Sequence, residues 1–259
     1  MSDALVPLPH KARGRRSPPI VLVHGFGGDR LAWNGIVGEL TRLRRTVAVD
    51  LPGHGEAVDW PVTPDARACA EALAQSLDAM GIRRATLVGH SMGGAVAGIV
   101  GLLRPDLVER LVLLAPGGFG PEMNVTLLRR YAHMTELPEI REVLTAFLAP
   151  GAEMPKALPR LVAEQRGDER LRRSFAAIVE VLAKGDGQGT LPLDALAEAH
   201  FPVSLVWGLE DAVLPVRQAI EAPAVFARHL LPAVGHMPHM EAPDLVVRII
   251  ADTVCGRRD

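Results

Sequence analysis

The stretch Gly89-His-Ser-Met-Gly-Gly94 constrains this chain more than any other, because it joins two apolar segments of different period at a single serine. Before it, Arg84-Ala-Thr-Leu-Val-Gly89 is short and β-branched enough for a buried strand. After it, Met92 to Leu103 is long and rich in small residues, as suits a helix lying on a sheet. A strand that turns directly into a helix through G-x-S-x-G puts its serine on a sharp corner with the hydroxyl exposed above the sheet. Gly89 and Gly93 remove side chains where strand and helix nearly touch, and the helix aims its free N–H groups and positive dipole end at the same point. The pattern alone is common enough to arise by chance, so its meaning depends on what the rest of the chain supplies.

The chain around it alternates. Pro19-Ile-Val-Leu-Val23 and Thr46-Val-Ala-Val-Asp50 have strand length and are closed by His24-Gly-Phe-Gly-Gly28 and Leu51-Pro-Gly-His-Gly55. Helical spacing links Leu31, Trp33, Ile36, Val37 and Leu40, and then Cys69, Leu73, Leu77 and Met80 before the stop at Gly81. Val108 to Ala115 is a further strand. Residues 18–120 therefore predict an α/β fold, a mostly parallel sheet covered by helices on both faces.

The rhythm breaks at Pro116-Gly-Gly-Phe-Gly-Pro121. Residues 121–199 carry helical patterns over 125–134, 138–148, 158–165 and 169–184 and no strand, with Gly185-Asp-Gly-Gln-Gly189 reading as a flexible connector. Alternation resumes at Pro202-Val-Ser-Leu-Val-Trp207 and continues through a helix near 215–222, a strand near 228–231 and a closing helix from Pro243. The expected organisation is a core of residues 18–120 and 200–259, a helical cap at 121–199 that sits over Ser91 as a lid, and a solvated, frayed tail at 1–17.

A serine hydroxyl is a poor nucleophile at neutral pH, so a histidine must take its proton and a carboxylate must orient that histidine. The strand ending at Ala115 offers no carboxylate, whereas the one ending at Trp207 is followed by Gly-Leu-Glu-Asp211; Asp211 is the expected acid, with Glu210 as the alternative. The loop Val234-Gly-His-Met-Pro-His-Met-Glu-Ala-Pro243 holds two histidines, and His236, directly after Gly235, is the expected base. The expected oxyanion donors are the backbone N–H groups of Met92 and Phe26. His24, His54, His90 and His239 are expected to be structural or to flank the pocket.

Five motifs in this order, His24-Gly-Phe-Gly-Gly-Asp29, Asp50-Leu-Pro-Gly-His-Gly55, Gly89-His-Ser-Met-Gly-Gly94, Trp207-Gly-Leu-Glu-Asp211 and Gly235-His-Met-Pro-His-Met-Glu241, resemble those of the α/β-hydrolase superfamily from residue 24 to the C-terminus. Leu114 to Met123 and the His236-Met-x-x-Met-Glu pattern are further similar to the hydrolase-like domain of acetoin dehydrogenase E2-type acetyltransferase proteins. No lipoyl domain is expected before residue 18, so acyl transfer through a tethered lipoamide is not implied. The resemblance implies a serine hydrolase acting on a carboxylic ester or thioester of a small molecule through an acyl-enzyme. A carbon–carbon bond hydrolase, an acyltransferase and a non-catalytic binding module on the same fold are the alternatives.

A formal net charge of −2 gives no long-range field for nucleic acid or an anionic membrane, and no apolar run has the length of a membrane span. The two cysteines, Cys69 and Cys255, lack metal-ligand spacing, and His236-x-x-His239 lacks a third ligand. The expectation is a cytoplasmic protein that needs no metal and no cofactor, with an oligomeric state left open.

Overall fold

In a computed structural model of the chain, residues 6–61 and 64–256 are described. A seven-stranded sheet is built from β1 (His10–Arg13), β2 (Ile20–Val23), β3 (Thr46–Val49), β4 (Ala85–His90), β5 (Val108–Leu114), β8 (Val203–Gly208) and β9 (Ala227–Leu231). Between β5 and β8 lies a separate hairpin of β6 (Ala183–Lys184) and β7 (Gly187–Gln188). The strand order is β1-β3-β2-β4-β5-β8-β9, with β1 antiparallel to β3 and every other neighbour parallel. The α/β fold expected from the alternation is thus observed.

The strands read as continuous apolar runs because both faces of the sheet are covered. Ile20, Leu22, Val88, Val112 and Val206 face α1 (Val37–Leu43) and, at the other end of the chain, the helix Pro243–Cys255. Val21, Val23, Leu87, Leu111 and Trp207, one residue out of phase, join the opposite cluster. That cluster takes in α2 (Ala66–Ala79) and α3 (Met92–Leu103). It continues without a break into the helices between β5 and β8: α4 (Val125–His133), α5 (Leu137–Ala146), α6 (Leu158–Arg166) and α7 (Glu169–Leu182), through Leu128, Tyr131, Phe175 and Ile178. Three short helices complete the order, α8 (Leu193–Ala197), α9 (Arg217–Glu221) and α10 (Pro238–Glu241), before the closing α11 (Pro243–Cys255). Among the described residues, no helix is long and apolar enough to cross a membrane.

Two local expectations are corrected. Residues 1–5 lie outside the described residues, but the remainder of the predicted tail is structured: β1 pairs with β3, and Leu8 just before it is fully buried, its N–H donating to Ser76 Oγ at 2.9 Å. The sequence hid this strand because all four of its residues are exposed and no apolar alternation marks it. His10, Lys11 and Arg13 instead place basic side chains on the sheet edge, where charge discourages pairing with another chain. The second correction concerns Gly185 to Gly189, which is a hairpin turn and not a loose connector. Gly185 takes φ +63°, and the Gln188 side chain ties the hairpin to the loop after β5 by accepting from Gly118 N–H (3.0 Å) and donating to Gly120 O (3.0 Å).

If the segment before β2 is part of the core, Leu8→Ala should lower stability by about 2–5 kcal/mol, the range for deleting a buried leucine side chain. Urea denaturation measures this, and a change below about 0.5 kcal/mol would return residues 6–13 to the status of a tail.

Candidate active site

The corner at Ser91 is as sharp as the glycines imply. Ser91 sits at φ 53°, ψ −118°, a conformation that L side chains rarely adopt and that costs on the order of 1–3 kcal/mol. Its backbone is held on both sides: its N–H donates to Leu114 O (3.0 Å), and its carbonyl accepts from Gly94 (2.9 Å) and Gly117 (2.9 Å). A Cβ on Gly89 would lie 2.3 Å from Gly93 O, and one on Gly93 would lie 2.3 Å from the carbonyl oxygens of Val23 and His24. Any side chain at either position would force α3 away from the sheet and relax the corner.

Three residues from separate strand ends meet there. Ser91 Oγ lies 3.0 Å from His236 Nε2, and His236 Nδ1 lies 2.8 Å from Asp211 Oδ2. A carboxylate can only accept, so the ring proton sits on Nδ1 and donates to Asp211, leaving Nε2 to accept from the serine hydroxyl. The second oxygen of Asp211 accepts from the N–H groups of Val213 (2.8 Å) and Leu214 (2.9 Å), which fixes the carboxylate. The His236 and Asp211 side chains are 2% and 0% exposed, so water does not compete for their contact. Glu210, the alternative acid, is exposed. Such a chain can deprotonate the hydroxyl as it attacks and stabilise the resulting imidazolium.

Ser91, Met92 and Phe26 line one cavity of about 360 Å³. The N–H groups of Met92, at the start of α3, and of Phe26 donate no hydrogen bond among the described residues, and so are free for an oxygen in the cavity. Most of the other lining side chains are apolar, including Ile99, Met123, Leu128, Leu182 and Leu191. The loops beneath are cross-linked. His24 Nδ1 donates to Gly25 O (2.8 Å) while Nε2 accepts from Leu51 N–H (3.0 Å). Buried Asp50 accepts from Arg30 N–H (2.7 Å) and Glu56 N–H (3.0 Å) and pairs with the Arg30 guanidinium.

The sequence profile of the Alpha/beta hydrolase family matches residues 20–249. The chain belongs to that family. Among its relatives, a dihydrolipoyllysine-residue acetyltransferase component of an acetoin cleaving system from Pseudomonas putida is 33% identical over 233 residues, covering 90% of this chain and 62% of that protein. An uncharacterised protein of Mycobacterium tuberculosis is 30% identical over 253 residues, covering 90% of this chain and 74% of that one. A solved meta-cleavage product hydrolase from Pseudomonas fluorescens superposes with TM-score 0.85 over 95% of this chain and 93% of that chain at 20% identity, which shows a shared fold.

His90, expected to be structural, has a particular partner in this alpha/beta hydrolase site. On the strand before Ser91 its ring packs 5.0 Å from that of His236 and its Nε2 donates to His236 O (2.8 Å), so it supports the loop directly. The feature that escaped the reading of the sequence is Glu241, whose carboxylate accepts from Gly235 N–H (2.9 Å), Met237 N–H (3.0 Å) and Ala149 N–H (2.8 Å). It was visible only as the last letter of a motif. His239 lies in α10, beneath the site and away from Ser91: its ring stacks 4.6 Å from His90 and 4.9 Å from Trp33, and neither ring nitrogen has a partner among the described residues. Four insert arginines are exposed and spent on surface contacts, Arg129 with Glu180, Arg130 with Glu142, Arg170 with Asp168 and Asp59, and Arg173 with Glu169, whereas Arg166 is buried against the Tyr131 and Phe175 rings. Cys69 is buried and free, Cys255 exposed and free, and among the described residues no cluster of ligands could hold a metal ion.

Burial keeps the supporting histidines neutral. It pushes His239 down to about 3, helped by the charge of neighbouring His236, and His54 down to about 3, helped by His24 and Arg166. Burial also lowers His24 and His90. The unfolded chain then binds more protons than the folded one between the ordinary histidine value near 6.5 and about 3, so stability is full above about pH 6.5 and falls as pH drops through that window. A group shifted this far contributes roughly 2 kcal/mol to the fall between pH 7 and 5. His239→Phe, which keeps a ring against Trp33, should shrink that fall by about this amount in urea titrations at the two pH values. An identical fall in both proteins would mean that His239 is charged, or solvated, in the fold.

Proposed function

We propose that the chain is a cofactor-free serine hydrolase that cleaves a carboxylic ester or thioester through an acyl-enzyme on Ser91. The observation that carries this reading is the continuous hydrogen-bonded chain from Ser91 Oγ through His236 to Asp211, opening into an apolar cavity. In the first half-reaction Ser91 Oγ attacks the acyl carbon while His236 Nε2 takes its proton. Asp211 stabilises the imidazolium without being protonated itself. The carbonyl oxygen gains charge between the N–H groups of Phe26 and Met92, with the N-terminal end of α3 adding its dipole. His236 then protonates the leaving alcohol or thiol. In the second half-reaction the same nitrogen takes a proton from water as it attacks the acyl-enzyme, and returns it to Ser91.

Helices α4–α7 and the β6–β7 hairpin form the cap. Met123, Leu128, Val181 and Leu182 line the cavity that holds Ser91 and favour an apolar acyl portion, while Lys184, Asp65 and Arg67 are the charged side chains of its lining. Arg129, Arg130, Arg170 and Arg173 of the insert have their own carboxylate partners, and no insert arginine is among the residues lining the cavity. Carbon–carbon bond hydrolysis by the same residues is the second reading, favoured by the close superposition on the meta-cleavage product hydrolase.

A panel of p-nitrophenyl esters of graded chain length, acyl-CoA thioesters and a 2-hydroxy-6-oxo-dienoate tests the reaction class, with fastest turnover expected on an uncharged ester or thioester. On one activated ester, Ser91→Ala should abolish turnover. His236→Ala should lower kcat by about a thousandfold or more, whereas His239→Ala should stay within about tenfold of wild type. Turnover of the dienoate alone would move the assignment to carbon–carbon hydrolysis. A severe loss confined to His239→Ala would displace His236 as the base.

A further inference from the structure

The loop bearing His236 leaves the sheet after β9, so its backbone has no ladder to satisfy it, yet its polar groups are buried and demand partners. The partners come largely from the insert and from one side chain. His236 N–H donates to Phe147 O (2.7 Å), just beyond the end of α5. The flanking N–H groups of Gly235 and Met237 donate to the two carboxylate oxygens of Glu241, and the oxygen that takes Gly235 also takes Ala149 N–H. The Phe147 ring packs against the His236 imidazole, 5.8 Å between centroids. Gly235 is explained by the same contact: a Cβ there would fall within 2.6 Å of Ala149 N and 2.7 Å of Phe147 O.

We propose that Glu241 is a positioning residue that clamps the loop carrying His236 to the insert turn at 147–149, so that the seating of the insert sets the distance from the imidazole to Ser91. This rests on the hydrolase reading given above. Three donors converge on one carboxylate, and each of its oxygens has lone pairs enough for the donors it receives. Two of those donors bracket His236 in sequence and the third belongs to the insert, so release of the carboxylate frees the loop from both sides. What remains is Phe147 O on the His236 N–H, His90 on the His236 carbonyl, and the Met240 and Glu241 N–H groups on the Met237 carbonyl. Those leave the N–H groups of Gly235 and Met237, on either side of His236, without a partner. A displacement of about 1 Å at a reacting group lowers rate by as much as 10²-fold while leaving the binding cavity unchanged. Glu241 does not face the cavity that holds Ser91, so its loss acts on turnover and not on substrate binding.

The test compares Glu241→Ala and Glu241→Gln with wild type and Ser91→Ala on one activated ester, measuring kcat, KM and the pH profile of kcat/KM. Glu241→Ala should lower kcat about 10- to 100-fold with KM within about twofold. The acid limb of its profile should move to lower pH, because an imidazolium held less well against Asp211 is less stabilised. Glu241→Gln keeps the volume and one acceptor oxygen but turns a donor toward a backbone N–H, so it should fall between Ala and wild type on both measures. If Glu241→Ala does not fold, Glu241→Gln decides by the same criteria. The proposal is overturned if kcat stays within about twofold of wild type, or if activity falls through KM with the acid limb unmoved. Turnover surviving in Ser91→Ala would instead defeat the hydrolase reading, and the proposal with it.

Discussion

The contact on which everything else depends is the approach of α3 to the sheet. Gly93 sits where any Cβ would strike the Val23 and His24 carbonyl oxygens at 2.3 Å, and Gly89 faces Gly93 O at the same distance. With both glycines in place the chain turns from β4 into α3 within one residue, and that residue is left at positive φ. The strain is held by hydrogen bonds from neighbouring strand ends, Leu114 O on the Ser91 N–H and Gly117 N–H on the Ser91 carbonyl. The sheet therefore works as a rigid frame, and the serine hydroxyl is presented at the one point where β2, β4, β5 and β8 all end.

Around that point the polar groups are arranged so that one histidine, His236, reaches both Ser91 and Asp211. His24 is saturated by Gly25 and Leu51, His90 supports the His236 carbonyl, and His239 fills space against Trp33. Burial holds all three neutral. The neutral imidazoles of His90 and His239 add no positive charge beside His236. The same burial makes the site a source of acid sensitivity, since each of these rings gains a proton when the chain unfolds below pH 6.5. Stability and site chemistry are in this respect one property.

Much of this was legible in the sequence, for physical reasons that can be named. The elbow, the strand-end position of Asp211 and the loop position of His236 each leave a local mark: glycines where side chains cannot fit, and a carboxylate or imidazole directly after an apolar run. The four insert helices were legible from their apolar spacing, with ends within a few residues of those observed. What was illegible lacks such marks. Strand β1 is wholly exposed and gets its conformation from pairing with β3, not from burial. The β6–β7 hairpin has two residues a side and is held by Gln188 reaching a loop 70 positions away. Gly235 looked like a turn glycine, but its reason is the close passage of residues 147–149, and the service of Glu241 to Ala149 spans 92 positions. Each is a long-range backbone contact, which no periodicity records.

The most direct measurement on the central claim, that Ser91 is a nucleophile activated by His236, is covalent labelling of the native protein with a fluorophosphonate, followed by peptide mapping. The reagent phosphonylates an activated serine and spares an ordinary hydroxyl. One adduct per chain is expected, on the peptide carrying Ser91, forming slowly or not at all in His236→Ala and lost on unfolding the protein first. A folded protein that takes no label at Ser91, or one that labels there equally well without His236, would contradict it.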